Sequence, residues 1–595
     1  PYNAEFRKKL QEKLYYADCI SKGVPVTEDL GISLFLVDAA TIGDWNLEGL
    51  PSDELSVENG IMVTRSQKWP LMIDPQSQGL SWIKSREQKN SCRTTQLIDK
   101  RFRNHLEDSM AFGTPMIIEN VEEEIDPLLD PVLNKEIQRK GRNLIIQLAD
   151  KECEYSDNFS LFLCSKLANP HYSPEIFAQV TVINFTVTMG GLEQQLLSRV
   201  VQMERPELEE QKQKLVEEVN HNKKLLKGLE DDLLYRLANS TGNLLDDVEL
   251  IEVLQKSKST AVEVNEKLTI AFDTDIRINT AREEYRPSAR RGALLYFLVV
   301  DMAAINNMYM VSLQQFLELH DFSVNNSDKA PIAAKRIVNI IEYMTKYVTS
   351  YMHRGLFERH KKIWTLMLAM KIEQVADRLS ASYVGNLLKG GDALDAKTEK
   401  PAPASWIPEN VWLNVLALSR TVQMLRDLPD NIERYNDMWR AWYDHDAPET
   451  QPFPDYNERL DKFEQMLVVR SIREDRALLA IDTYIQHALG REFLLSAPLD
   501  LAALCDEASP YVPMITLLST GSDPTGKIND LARKRKKTVL GISMGQGQEP
   551  AARKLLEQGI SEGIWVLLQN CHLGLSFMGE CQEWVLSLNK LEETT

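Results

Sequence analysis

The chain has 595 residues, of which 43% are hydrophobic and 26% are charged, and its formal net charge is −19. This length exceeds what one hydrophobic core supports, so we predict two to four domains. The negative charge argues against nucleic acid and against a membrane as partners. The seven cysteines are scattered without a C-x-x-C pair, which predicts a reducing, cytoplasmic compartment and no metal site.

The first part of the chain has the pattern of a helix followed by an α/β module. Charged helical patterning over Tyr2–Ser21 precedes a series of apolar, strand-like segments that helical stretches separate. Short apolar runs of this kind predict a mostly parallel sheet with covering helices. The segments are Leu71–Ile73, Met116–Ile118, Leu144–Leu148, Phe159–Leu163 and Val180–Phe185.

A damaged phosphate-binding loop follows the first of these strands. In the P-loop pattern G-x-x-x-x-G-K-[S/T], backbone N–H groups cradle phosphates, the lysine reaches the terminal ones and the hydroxyl binds Mg²⁺. From Asp74 the chain reads DPQSQGLS, which keeps Gly79 and Ser81. It has Asp74 in place of the first glycine and Leu80 in place of the lysine, so the charge that would hold phosphate is lost.

A second strand, Met116–Ile118, begins about 40 residues after this loop. An NTPase carries its acidic pair at the end of this strand. Here the pair is Glu119-Asn120. An NTPase needs one carboxylate for the metal and one residue that polarises the attacking water. Glu119 can hold a metal, but Asn120 is no base, so we predict that this module does not hydrolyse ATP.

Two charged helical segments with heptad spacing come next. They are Glu204–Ala238 and Leu244–Arg282, and the turn residues 239–243 (NSTGN) separate them. Two heptad helices joined by a short turn predict an antiparallel coiled-coil hairpin, with arms about 50 Å long at 1.5 Å per residue. Ser257 and Asp275 make the seam imperfect, and a helix pair packed within a globular lid is the alternative. The predicted seam residues are Leu226, Leu229, Leu233, Leu250, Leu254, Val264 and Leu268.

The region from Tyr285 to Leu387 has an all-helical pattern. Its most apolar stretch, Ala293–Ile305, is far shorter than the ~20 residues of a membrane span, so we predict a buried helix. Residues 388–407 contain Gly390-Gly391 and two prolines, which predicts a flexible connector. A further helical segment follows over Trp406–Ala488.

A second damaged phosphate loop lies near the C-terminal end. The apolar run Met514–Leu518 predicts a strand, and from Gly521 the chain reads GSDPTGKI. This loop keeps Gly521, Gly526 and Lys527. It has Ile528 in place of the hydroxyl, so no side-chain oxygen is offered to Mg²⁺.

The second module also lacks the acidic pair. The apolar run that ends at Leu568 is followed by Gln569-Asn570, and both side chains are neutral. In the loop itself, Pro524 removes a backbone donor and Asp523 brings negative charge to the phosphate position. We predict no hydrolysis here either, and weak residual nucleotide binding is the alternative. Two damaged copies with similar spacing indicate two related α/β modules.

Eight stretches form a long and specific set of motifs in a fixed order. They are Gly49–Ile61, Trp69–Lys84, Phe102–Met110, Lys166–Leu197, Glu283–Phe297, Thr520–Ile528, Ser543–Glu549 and Trp565–Leu575. This set, in this order, resembles dynein heavy chains over essentially the whole length. The form IDPQSQG…WIK is similar to axonemal members, and FRNHLEDSM and LANSTGNLLDD are most similar to the gamma-type heavy chain of outer dynein arms.

The resemblance implies two AAA+ units with helical lids, so the expected fold class is α/β plus α. Residues 1–45 are then a helix returning from the stalk with its connector, and 46–203 the large α/β subdomain of the fifth AAA+ unit. Residues 204–284 are the buttress (also called the strut), and 285–405 a helical lid with connecting helices. Residues 406–595 are expected to be the large subdomain of the sixth AAA+ unit, incomplete at its C-terminus. No methionine opens the chain, and we expect a fragment of a longer protein.

The resemblance implies a role in a minus-end-directed motor that slides microtubules in the ciliary or flagellar axoneme at the expense of ATP. It places ATP, ADP and Mg²⁺ in units outside these residues, so no cofactor is expected here, and this segment relays ring movement to the stalk. A static scaffold and a self-sufficient ATPase are the alternatives. The implied partners are the stalk, fourth AAA+ unit, linker and C-terminal region of the heavy chain, microtubules through the stalk tip, and other outer-arm heavy, intermediate and light chains.

Overall fold

The computed structural model describes residues 6–592 except 7–8, 26–31, 142, 150, 168, 240–247, 396, 457–458, 496–499, 509–511 and 519–520. Contacts concentrate within each of two units, Pro1–Leu494 and Leu495–Thr595. The predicted domain boundaries inside and across these units stay predictions.

Short helices lead into the first module. A π-helical stretch over Leu10–Tyr15 precedes α1 (Tyr16–Ser21), α2 (Ile32–Leu36), α3 (Ala39–Leu47) and α4 (Glu54–Arg65). The side chain of Asp38 accepts the Thr41 N–H at the start of α3, and Asp53 accepts the Ser56 N–H at the start of α4. Each aspartate thereby satisfies a backbone donor that has no partner within its helix.

The first module contains a five-stranded parallel sheet. In chain order its elements are β1 (Trp69–Ile73), α5 (Gln78–Glu87), β2 (Arg93–Gln96), α6 (Phe102–Phe112), β3 (Met116–Glu119), α7 (Asp130–Leu133), β4 (Gln138–Lys140), β5 (Asn143–Leu148), β6 (Lys151–Tyr155), β7 (Leu161–Ser165), α8 (Pro174–Gln179) and β8 (Val180–Asn184). The strand order of the parallel sheet is β2-β3-β7-β1-β8. The predicted parallel sheet is confirmed for four of the five predicted segments.

The exception is Leu144–Leu148, which belongs to a separate antiparallel sheet of order β4-β5-β6. The prediction that this segment joins the parallel sheet is wrong. Only residues 149–150 separate β5 from β6, and Ala149 has a positive φ of 49°. A connection this short permits an antiparallel hairpin, whereas a parallel pairing needs a crossover of a dozen or more residues.

Both faces of the parallel sheet are covered. Successive residues of a strand point to opposite faces, and Leu71 accordingly packs in one apolar cluster with Met116 and Ile118. Its neighbour Met72 packs in another cluster with Ile117. This double burial explains why the central strands are continuous apolar runs rather than alternating ones.

Seven α-helices follow the sheet among the residues of the first unit that the structure describes up to Val375. They are α9 (Met189–Glu204), α10 (Pro206–Asn239), α11 (Val248–Glu283), α12 (Arg286–Ala303), α13 (Leu313–Asn326), α14 (Ala333–Gly355) and α15 (Glu358–Val375). Buried residues of α9, α12, α13, α14 and α15 share one core cluster. The predicted buried helix is confirmed, because α12 buries most of its residues from Ala293 onward. No described helix combines the length and hydropathy that crossing a membrane requires.

Six further α-helices of the described chain pack around a second core cluster in the first unit. They are α16 (Ala381–Lys389), α17 (Glu409–Thr421), α18 (Leu428–Arg434), α19 (Asn436–Tyr443), α20 (Lys462–Ile472) and α21 (Ala477–Ala488). The segment predicted as a flexible connector is instead held against this bundle. The Gly391 N–H donates to Asn414 at 2.7 Å, and the Trp412 indole N–H donates to the Lys400 carbonyl at 2.6 Å.

The second unit has a smaller sheet. Its elements are α22 (Leu501–Glu507), α23 (Thr525–Lys534), β9 (Val539–Ser543), α24 (Glu549–Glu562), β10 (Trp565–Gln569) and α25 (Leu575–Glu592). Strands β9 and β10 pair in parallel. The strand predicted over Met514–Leu518 is wrong, since these residues are exposed and irregular. In the first module the strand before the loop, β1, pairs with β7 and β8, and the described residues of the second unit contain no counterparts of those two strands.

Candidate nucleotide-binding loops and helical hairpin

The first phosphate loop is occupied by a carboxylate of the chain itself. Asp74 is 1% exposed at the end of β1. Its carboxylate accepts the backbone N–H groups of Gln78 and Leu80, each at 2.9 Å. Burial raises the pKa of the Asp74 carboxyl, although the N–H groups that point at it oppose the shift. Because the N-terminus of a helix is the usual anion site of such a loop, the Asp74 carboxylate stands where a phosphate would bind.

Neighbouring side chains fill the rest of the cradle. A Cβ added at Gly79 would lie 3.0 Å from the ring of Phe185, so the loop packs directly on a buried aromatic side chain. Gln76 accepts the Val187 N–H at 3.3 Å and also interacts with the side chain of Tyr296 in α12. Gln76 therefore joins the loop to the helical part of the module without a nucleotide.

The acidic position of the first module is also engaged. The ammonium of Lys84 in α5 lies 2.6 Å from a carboxylate oxygen of Glu119, at the end of β3. Asn120 follows in the left-handed region with φ 55°, and the Ser81 hydroxyl donates to the Ser77 carbonyl at 2.8 Å. Within the described part of the chain, no group of three or more His, Cys, Asp or Glu is arranged to hold a metal ion.

The second loop is more open. Gly521 has φ 84°, a left-handed conformation that favours glycine. Gly526 and Lys527 begin α23 and are exposed, and Ile528 lies in its first turn. The Asp523 carboxylate accepts the Thr525 N–H at 2.9 Å. Hydrogen bonds from the Thr525 side chain and from this N–H lower the pKa of Asp523. A negative charge therefore lies at the start of this helix as well.

The strand end of the second module contacts its own loop helix. The Gln569 amide donates to the Thr525 hydroxyl at 3.1 Å, and the Asn570 amide donates to the Ser543 hydroxyl at 2.9 Å. Asn570 has φ 55°, the same value as Asn120. The two modules thus share a left-handed asparagine after the strand that should carry the acidic pair. Sequence reasoning identified both asparagines but had no signal for their backbone conformation.

The two long helices α10 and α11 contact each other with opposite chain directions. Arg282, which is 3% exposed, lies 3.1 Å from Glu209, and Lys212 pairs with Asp275. In both pairs a residue near the start of α10 contacts a residue near the end of α11, so the two helices run antiparallel. Of the predicted seam, Val264 is buried and Leu226, Leu229 and Leu268 are half-buried. The side chains of Leu233, Leu250 and Leu254, and the tip at 240–247, lie outside the described residues, so coiled-coil packing stays a prediction.

Two family models match the chain. Residues 43–264 match the ATP-binding dynein motor region, and residues 509–594 match the dynein heavy chain region D6 P-loop domain. The Dynein gamma chain, flagellar outer arm, of Chlamydomonas reinhardtii is 51% identical over all 595 residues. Dynein axonemal heavy chain 5 of Mus musculus is 46% identical, and Dynein-1-beta heavy chain, flagellar inner arm I1 complex, of Chlamydomonas reinhardtii is 38% identical, each along the full chain.

The chain spans 13% of the length of each of these relatives. The matches are nevertheless continuous from end to end, and they include both phosphate loops and the long helices. The two family models fall on the two regions in which the damaged loops lie. The chain therefore belongs to the dynein heavy chains, and within them to the axonemal members.

Proposed function

We propose that this chain is a non-hydrolysing part of a dynein motor ring and relays ring movement to the stalk through the α10–α11 hairpin. The parent motor, on this proposal, slides microtubules toward their minus ends in the axoneme and hydrolyses ATP in units outside these residues. The observation that carries the proposal is the Asp74 carboxylate, which accepts the N–H groups of Gln78 and Leu80. A second anion cannot take the same donors without displacing it.

The chemistry of the strand ends supports the same conclusion. Glu119 is neutralised by Lys84, and Gln569 and Asn570 carry no charge to hold Mg²⁺ or polarise water. Hydrolysis needs both functions. The proposed partners are the stalk, the fourth AAA+ unit, the linker and the C-terminal region of the same heavy chain, with microtubules at the stalk tip and other outer-arm chains.

The test is phosphate release by the purified chain at millimolar Mg-ATP. We expect no turnover above a buffer control. Turnover that disappeared in a Lys527→Ala variant would show that the second loop is an active site and would contradict the proposal. A mixture with an added active ATPase serves as the positive control.

A second candidate function is nucleotide binding without hydrolysis at the second loop. The exposed Gly526 and Lys527 at the start of α23 favour it, because a helix N-terminus and a lysine together attract phosphate. Fluorescent ADP and ATP analogues would be titrated into wild type and Lys527→Ala. Saturable binding lost in the variant supports this candidate, and equal behaviour of the two proteins excludes it.

A further inference from the structure

Helix α3 lies along the first arm of the hairpin and is joined to it by charged side chains. The ammonium of Lys227 lies 2.7 Å from Asp38, and that of Lys224 lies 2.6 Å from Asp44. The Asn220 amide donates to the same Asp44 oxygen at 2.8 Å. Residues 220, 224 and 227 follow the i, i+4, i+7 spacing that places side chains on one face of a helix. We call this contact the α3 latch.

The two helices approach closely because α3 has a glycine at the crossing. A Cβ added at Gly43 would lie 2.5 Å from the Asn220 side-chain oxygen. Asn220 is 5% exposed, and no donor among the described residues reaches that oxygen. A buried acceptor without a partner costs about 1–3 kcal/mol. The latch is thus a specific contact, but it contains a polar group that the closed arrangement leaves unsatisfied.

The base of the hairpin is built differently. Arg282 is almost fully buried and binds both Glu209 and the Ser198 hydroxyl, the latter at 2.7 Å. Ala271 and Ile278 of α11 are buried nearby along the helix. Breaking a buried charge pair of this kind is strongly unfavourable. The base therefore holds both arms to α9 through charges that are more deeply buried than those of the latch.

The latch has no comparable burial. The side chains of Lys224 and Lys227 are 51% and 48% exposed. Exposed ion pairs contribute only about 0–1 kcal/mol each and are screened by salt. The first arm is consequently held more firmly at Glu209, at its base, than at residues 220–227, which lie 11 to 18 positions further along and contact α3.

We propose that the α3 latch is releasable: it holds the first arm against the chain that enters the first module and opens when the motor changes nucleotide state. This inference rests on the proposed relay function, because α3 begins within residues 1–45, which the family resemblance assigns to the helix returning from the stalk and its connector. With the latch closed, the stalk-side chain and the hairpin move as one body. With the latch open, the first arm, α10, moves about its base without α3.

A disulfide tests the latch in the full heavy chain. A Cβ at position 43 would lie 2.8 Å from Asn220 Cγ, so Gly43→Cys with Asn220→Cys brings two thiols within reach of a disulfide, whose Cβ atoms lie about 3.5–4.5 Å apart. Disulfide formation would be followed with no nucleotide and with ATP plus vanadate. We expect the bond to form in both samples, severalfold more slowly in one of them. Each single-cysteine variant is the control for pairing with native thiols.

The oxidised double variant should keep basal ATP turnover and lose most of the difference in microtubule affinity between nucleotide states, and a reductant should restore that difference. The latch proposal would be overturned if the disulfide formed at equal rates in both nucleotide states or formed in neither. It would also be overturned if the oxidised motor kept its full nucleotide-dependent change in microtubule affinity. If the reduced wild-type motor itself showed no nucleotide-dependent affinity, the proposed function would fail, while the disulfide rates would still report on the latch.

A second measurement uses hydrogen exchange. The double variant Lys224→Gln, Lys227→Gln should speed amide exchange in α3 severalfold and leave the exchange rates of α9 and α12 unchanged. Raised salt should have the same effect on the wild-type protein, because it screens the two ion pairs. Lys214→Gln with Lys223→Gln removes the same charge from exposed positions of α10 and should leave α3 unchanged. Equal exchange in the two double variants would contradict a charged latch.

Discussion

The ammonium of Lys84 and the carboxylate of Glu119 lie 2.6 Å apart, which joins the strand end of the first module to its loop helix. The second module has the corresponding connection in neutral form, from Gln569 to Thr525 at 3.1 Å. In both modules the side chain at the metal-binding position of an NTPase is thus bonded to the helix that begins at the phosphate loop.

The Asp74 carboxylate should stabilise the first module. Asp74→Ala leaves the Gln78 and Leu80 N–H groups without an acceptor, and we expect a loss of about 1–3 kcal/mol in the free energy of unfolding. Asp74→Asn keeps one acceptor and should lose less. Urea unfolding followed by tryptophan fluorescence measures both. Asp108→Asn, which breaks only an exposed pair with Arg93, is the control, and an Ala variant as stable as that control would contradict the prediction.

Acid should weaken the contact between α9 and α13. Burial alone would raise the pKa of Asp321, but hydrogen bonds from His320 and Arg199 hold it at about 2, below the ordinary 3.8. Because the folded pKa is lowered, the stabilisation is present above about pH 3.8 and is lost as the pH falls toward 2. Asp321→Asn should therefore differ from wild type in urea midpoint at neutral pH and converge with it in this window.

The control for this pH dependence is Asp301→Asn, since Asp301 is exposed and lies 3.7 Å from Lys371. Its difference from wild type should be small at every pH. A gap between Asp321→Asn and wild type that stayed constant down to pH about 2 would show that the Arg199 pair contributes nothing through ionisation.

Hairpin continuity should matter more than any surface charge. Val264 is 3% exposed in α11, and Val264→Pro removes a helical hydrogen bond at a cost of about 3 kcal/mol or more. In the full motor we expect basal ATP turnover to survive and the difference in microtubule affinity between ATP-bound and nucleotide-free states to shrink. Co-sedimentation in both states measures this, with Val264→Ala as the control that keeps the helix. A full affinity change in the proline variant would favour the static scaffold.

Two glycines of the second helical bundle should respond oppositely to alanine. A Cβ at Gly391 would lie 2.5 Å from the Leu413 carbonyl carbon, whereas a Cβ at Gly385 meets nothing within 4 Å. Gly391→Ala should destabilise by about 1–3 kcal/mol because backbone must move. Gly385→Ala, inside α16, should stabilise by about 0.5–1 kcal/mol. Thermal unfolding of both variants measures the pair, and shifts of the same sign would refute it.

Sequence patterns predicted best those strands whose burial follows from their own apolar residues. The apolar runs at Leu71–Ile73 and Met116–Ile118 form strands because burial on both faces needs continuous apolar residues. Leu144–Leu148 is a similar apolar run, but only two residues separate it from β6, and this short connection makes it pair antiparallel with β6 instead of joining the parallel sheet. Met514–Leu518 does not form a strand, and the described residues of the second unit offer it no neighbouring strand to pair with, which no local pattern reveals.

The candidate loops divide in the same way. The loss of lysine at Leu80 is visible in the sequence, and so is the loss of the acidic residue at Asn570. The capture of backbone N–H groups by Asp74 is not visible, because an aspartate before a loop reads equally well as a turn residue. The Gln76 contact to Val187 joins residues 111 apart in the chain, and spacing alone gives no hint of it.

The strand order of the first sheet determines when each strand can pair during synthesis. Strand β1 lies between β7 and β8, whose residues come roughly 90 to 115 positions later. β1 therefore leaves the ribosome without either neighbour and must wait for the entire stretch to Asn184 before its edges are paired. The β4–β6 meander, made of adjacent residues, has no such delay. A translational pause between β3 and β8 would leave the apolar edges of β1 open to other chains, and this interval is where the nascent protein most needs a chaperone.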